Sequence, residues 1–166
     1  MTLQQTTFDP VTGIPRWGCF WLSIVVAAWR TAQDRDPTVD ETMSIYNDSR
    51  GATTWNGASV LSMSSDDRRE LTVNDPSAVL SLALSYTNNG WRGAQKPDLA
   101  CRVPAQYPRD YRLTYTLVNF KRPSADGHWV LCDRMGMNVV YDPNEDLSID
   151  GWSRTGAWRG LSIWHV

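Results

Sequence analysis

The chain has 166 residues, 42% of them hydrophobic and 20% charged. That suffices for one domain that buries roughly two thirds of the surface its unfolded form exposes, and it lacks the composition of a disordered chain. A formal net charge of −2 leaves no general attraction for a phosphate backbone, so no nucleic acid partner is expected. Three cysteines without a close pair (Cys19, Cys101, Cys132) and two histidines (His128, His165) suggest neither a disulfide framework nor a metal knuckle; no metal or other cofactor is expected.

Residues 1–16 are polar and carry Asp9-Pro10, Thr12-Gly13 and Pro15, which predicts an extended arm lying on a domain formed by residues 17–166. The apolar run from Phe20 to Trp29 follows. It is about half the length of a bilayer span. The residues before it include Asp9 and a single arginine, with no small-residue cleavage site after the run, unlike a secretory leader. Synthesis in the cytoplasm without a signal peptide is therefore the expectation. Being apolar almost all round, the segment from Cys19 to Trp29 marks a buried element, and the Ala27-Ala28 pair with the polar extension Arg30 to Gln33 favours a helix.

Thr38-Val-Asp-Glu41 has the spacing of a capping box and predicts a second helix ending near Asn47. Residues 48–73, rich in Ser, Thr and Gly, are expected to be loop or short elements. Asp75-Pro76 opens a third helix with Val79, Leu80, Ala83 and Leu84 on one face, ended by Asn88-Asn89-Gly90. The basic stretch Arg102 to Arg122, interleaved with Tyr107, Asp110, Tyr111 and Tyr115, reads as a strand with a solvated face. Tyr111 to Phe120 alternates as a strand does, Gly127–Asp133 and Met137–Tyr141 suggest a hairpin around Gly136, and Trp158 to Val166 a final strand. Helices first and strands second is the α+β order.

Nine tryptophans are present, and those in polar segments (Trp55, Trp91, Trp152, Trp158) either pack a core or line a groove for an extended ligand. A nucleophilic cysteine needs its thiolate stabilised, and the free N–H groups and macrodipole at a helix start do this. Cys19 stands at such a start, beside Gly18. His128 begins an apolar strand directly after a loop, where its ring can act as base. Tyr141-Asp142-Pro143 ends the partner strand and brings a carboxylate to the same edge, able to hold the imidazole in one orientation and tautomer. Each feature also has a plain structural reading: a small core residue, a strand-end histidine, a turn. His165 and Cys132 are read as structural, Cys132 as a buried strand thiol.

Gly18-Cys19-Phe-Trp-Leu-Ser23, Gly127-His128-Trp-Val-Leu131 and Tyr141-Asp142-Pro143 together resemble the papain-like cysteine peptidase clan, and within it the bacteriocin-processing-type peptidases and peptidase-like domains of bacteria and phages. The resemblance spans about residues 17–146. It implies a papain-like α+β fold in which N-terminal helices, with a central Cys-bearing helix, pack on a C-terminal antiparallel sheet. It also implies Cys19 as nucleophile, His128 as base and Asp142 as orienting carboxylate in a hydrolase of peptide or amide bonds. Cell-wall (peptidoglycan-like) peptides are then the expected substrate class, an acyltransferase or deamidase on the same triad stays open, and an inactive structural or binding component of a phage particle is the alternative, with virion association or release by lysis. Members of that clan usually carry a glutamine about six residues before the cysteine, to donate to the oxyanion; Gly13 stands there instead. Gln4 and Gln5 are the substitute oxyanion donors if the arm folds back. Trp17 and Trp129 are candidate substrate-binding residues, and Trp21 is expected in the core.

Overall fold

The structure is a computed structural model and describes residues 3–87, 90–96, 113–121, 127–147 and 149–166, apart from the Leu147 side chain. Two 3-10 turns, Gln5–Thr7 and Pro10–Thr12, precede the helices α1 (Ile14–Trp17), α2 (Cys19–Gln33) and α3 (Val39–Gly51). A short strand pair, β1 (Leu61–Met63) and β2 (Leu71–Val73), then leads to α4 (Pro76–Ser85). The remaining strands are β3 (Trp91–Lys96), β4 (Tyr115–Lys121), β5 (His128–Cys132), β6 (Val139–Tyr141) and β7 (Ser153–His165). They form one five-stranded antiparallel sheet in the order β3-β7-β4-β5-β6. The fold is α+β.

The run that is apolar all round is buried all round: Leu22, Ile24, Val25, Val26, Ala27 and Ala28 of α2 have 0% exposure. Such a helix has no face to offer water, and α2 is wrapped by α4 on one side and β5 on another. Each large aliphatic side chain removed from water there contributes about 1.5–3 kcal/mol. At its far end, Arg30 pairs with Asp36 at 2.6 Å and donates to the Val140 carbonyl at 2.8 Å, with its guanidinium over the Tyr141 ring. The end of the central helix is thereby tied to β6.

Thr38 and Glu41 close the expected capping box, Glu41 N–H donating to Thr38 Oγ1 at 3.1 Å and Thr38 N–H to Glu41 Oε1 at 2.9 Å. The helix does not stop near Asn47 but continues to Gly51. Buried Ser49 holds this extra turn, donating to the Ile45 carbonyl and accepting from Trp21 Nε1. Asp75 caps α4 by accepting from Ala78 N–H at 3.0 Å, with Pro76 at the first helical position.

Three segments differ from the sequence-based expectation. The arm is coiled into short helical turns and not extended, because Asp9 caps the turn starting at Pro10, and it contributes Leu3, Phe8 and Ile14 to the core. Strand β3 falls where no strand was expected; its Gly93 lets the backbone approach Leu80, which a Cβ would meet at 2.7 Å. The last strand begins at Ser153, earlier than expected, because it serves two neighbours, pairing with β4 over Ser153–Leu161 and with β3 over Gly160–His165. Most of the basic stretch, with Cys101, lies outside the described residues; the part within β4 buries Thr116, Leu117, Val118 and Phe120 and exposes Lys121. No helix among the described residues is long and apolar enough to cross a membrane.

Candidate active site

The site lies where the start of α2 meets the edge of the sheet. Gly18 separates α1 from α2 and is packed so closely on α1 that a Cβ would meet the Ile14 carbonyl oxygen at 2.7 Å. The chain breaks its helix at this point and begins a new one with Cys19. No side chain caps that new helix, so its first-turn amides and the positive end of its dipole are left to act at the half-buried thiol.

The hairpin of β5 and β6 supplies the other two groups. Continuing the antiparallel register past the Leu131–Tyr141 pair sets Asp142 opposite Val130, one diagonal step along the same face from His128, and the two side chains meet. His128 Nε2 and Asp142 Oδ1 are 2.7 Å apart, with the imidazole only 3% exposed. The Trp152 ring packs edge-on to it. His128 also interacts with Cys19, and because Nε2 is held by Asp142, Nδ1 is the nitrogen left for the thiol. Burial opposes a charge on His128. The hydrogen bond from Asp142, the hydrogen bond and charge of Cys19, and the charge of Asp142 outweigh that burial and push the imidazole up to about 9. An imidazole so placed carries its proton at neutral pH and faces the Cys19 sulfur.

Beside Cys19 runs a groove of about 400 Å3. Trp17 and Phe20 flank the thiol, Gly127 and Trp129 form the sheet side, and Leu71 to Val73 of β2 with Pro76 form the opposite wall. Phe20 and Trp129 stack edge-to-face with centroids 4.9 Å apart. Both candidate substrate-binding tryptophans thus line the groove, whereas Trp21 is in the core at 1% exposure. Two residues that the sequence did not single out also line it: Arg16, with its guanidinium over Trp17, and Arg159, over Trp129. No Asp or Glu is among the described residues lining it. The signal was present in Arg16-Trp17, but nothing in the chain order announced that Arg159 would line the same groove.

The two glutamines have other work. Gln5 is buried and its amide nitrogen donates to the Pro15 carbonyl at 2.7 Å and the Ile14 carbonyl at 3.5 Å. The Gln4 amide nitrogen donates to the Leu3 and Asp142 carbonyls. Both amide nitrogens are thus engaged by backbone carbonyls. Cys132 is fully buried on β5, and burial, eased by Arg154 and reinforced by Asp133, pushes its thiol up to about 12. His165 packs edge-on against Trp91 on β3, 4.9 Å between centroids and remote in sequence from the site residues. Among the described residues no cluster of His, Cys, Asp and Glu could hold a metal ion.

Comparison with protein-family models, with curated proteins and with solved structures returns no match.

Proposed function

We propose that the chain is a papain-like cysteine hydrolase of peptide or amide bonds, with Cys19 as nucleophile, His128 as acid and base, and Asp142 as the group that orients it. One observation carries the reading: a buried imidazole, joined at 2.7 Å to a carboxylate, also faces a thiol at the uncapped start of a helix, beside an open groove. In the reaction, the proton shared by Cys19 and His128 is held on the ring while the Cys19 sulfur attacks the substrate carbonyl. The resulting oxyanion lies against the first-turn amides of α2. His128 then returns the proton to the leaving nitrogen, the C–N bond breaks, and a thioester remains on Cys19. Water, deprotonated by His128, attacks the thioester and frees the acid and the thiol.

The groove favours an extended peptide laid across Trp17, Phe20 and Trp129. Arg16 on the rim of the groove favours a peptide that carries a carboxylate over a basic one, as peptides of the cell wall do. The test is incubation with acidic and basic peptides, including muropeptides, followed by mass spectrometry of the products and of the protein. Cleavage with a transient acyl adduct on Cys19, lost in Cys19→Ala, is expected; an intact substrate set with no adduct would overturn the reading.

A second reading has its own support. The Gln4 and Gln5 amide nitrogens are engaged elsewhere and supply no oxyanion donor beside Cys19, and losing one such donor typically costs about 100-fold to 1000-fold in rate. A papain-like domain with weak or no turnover, kept as a binding or structural component of a particle such as a phage virion, would bind peptide in the groove without cleaving it.

A further inference from the structure

Asp142 is held by very little of the sheet. Strand β6 ends at Tyr141 and, among the described residues, is an edge strand paired with β5 alone, so no described strand lies beyond it to fix the residues that follow. The segment Leu3–Gln5 occupies that place. Tyr141 Oη, kept protonated by its burial, donates to the Leu3 carbonyl at 2.6 Å. Gln5 N–H donates to the Pro143 carbonyl at 2.8 Å. Between them the Gln4 side chain bridges the loop: its amide nitrogen donates to the Asp142 carbonyl at 3.1 Å, and its Oε1 accepts from Glu145 N–H at 2.8 Å. Within the loop, Asn144 N–H donates to Asp142 Oδ1 at 2.9 Å, the same oxygen that meets His128. The carboxylate oxygen facing the imidazole is therefore aimed by a turn whose two ends, residues 142 and 145, are spanned by one glutamine.

We propose that Gln4 is a positioning residue for His128, acting through Asp142: the early arm is a staple on the 142–145 turn, and its loss lets the carboxylate swing away from the imidazole while the thiol and groove stay in place. The proposal rests on the cysteine-hydrolase reading for its effect on rate, but the staple itself has a readout that needs no substrate. The main-chain bonds from residues 3 and 5 keep the arm docked when the Gln4 side chain is changed, so the effect of Gln4 is separable from folding of the arm. Among the described residues, the titratable groups facing the imidazole are Cys19 at the start of α2 and Asp142 after β6.

The experiment uses the full chain with Gln4→Met, which keeps the length and loses both side-chain bonds to the 142–145 turn, and Gln4→Asn, which keeps the amide and loses its reach, beside Asp142→Asn. Three quantities are followed: the His128 ring titration by NMR, the pH profile of Cys19 alkylation by iodoacetamide, and, with a cleaved peptide, kcat and KM. Expected for Gln4→Met is a His128 titration moved down from about 9 toward that of Asp142→Asn. The alkylation profile should move with it, and kcat should fall about 10-fold to 100-fold with KM nearly unchanged, the scale set by a misplacement of about 1 Å. Gln4→Asn should show the same changes to a smaller degree and serves if Gln4→Met does not fold. A His128 titration and alkylation profile like those of the parent chain in the folded variants would overturn the staple, whatever the turnover. A parent chain that cleaves nothing while the titration still responds to Gln4 would overturn the hydrolase reading and leave the staple standing.

Discussion

The two halves of the site are held by different forces. The half that carries Cys19 is the start of a helix whose next two turns are sealed in the core, with Leu22, Ile24, Val25 and Val26 at 0% exposure. The half that carries Asp142 hangs from an edge strand by hydrogen bonds to the arm, to Arg30 and within its own turn. Apolar packing is non-directional and indifferent to which atom touches which, so it places a backbone firmly without aiming a side chain. Hydrogen bonds are worth only about 0.5–1.5 kcal/mol each but fix direction. The molecule uses packing where a sulfur must be positioned and polar bonds where a proton-carrying ring must be aimed.

Mutations can break this contrast, and the largest effect is expected at the thiol. Cys19→Ala should abolish turnover, by about 10^4-fold or more, with an unfolding midpoint close to the parent's; peptide cleavage and thermal melts of the same sample check this. Asp142→Asn should lower kcat by about 100-fold to 10^4-fold, since the wrong tautomer or orientation of the imidazole removes the base while leaving the groove intact. Leu22→Ala should do the opposite, costing about 2–5 kcal/mol of stability through the cavity it leaves. Its kcat per folded molecule should stay near the parent's in urea-titrated samples assayed well below the transition.

The smallest effect is a pH dependence of stability. His128 is raised to about 9 in the folded chain, above the ordinary histidine value of about 6.5. A group raised in this way contributes stability that is fully present below about pH 6.5 and is lost as the pH climbs through about 9. The stability difference between the parent and His128→Gln should therefore shrink across that interval, read from denaturant melts at several pH values. A constant difference would show that the ring is not charged in the folded chain. Iodoacetamide should modify Cys19, which lines the groove, while buried Cys132, raised to about 12, stays unmodified in the folded chain.

Much of this was legible in the residues because the signals were local. Thr38 and Glu41 announce a helix start within four positions, Asp75-Pro76 does the same for α4, and the unbroken apolar run after Cys19 has no stable place but the interior. The pairing of His128 with Asp142 was legible because one hairpin joins them. The sequence could not show where Gln4 and Gln5 direct their amides, since those bonds reach carbonyls at 142 and 15 that only the tertiary fold brings near. Strand β3 was hidden for another reason: Arg92, Gly93, Gln95 and Lys96 break the alternation of a half-buried strand, and only packing of α4 against Gly93 reveals what the segment does. Arg159, far along the chain, gave no hint that it would line the same groove as Arg16.

Gly18 has a reach beyond the helix break it permits. Since even a methyl group at this position would collide with the Ile14 backbone, any larger residue must lever the four-residue helix before it outward, and that helix carries Arg16 and Trp17 on the rim of the cleft. The bare backbone beside the sulfur therefore works as a spacer gauge, coupling the width of the groove to the attitude of the segment upstream, so that residue 18 governs both that width and the place of the Cys19 thiol.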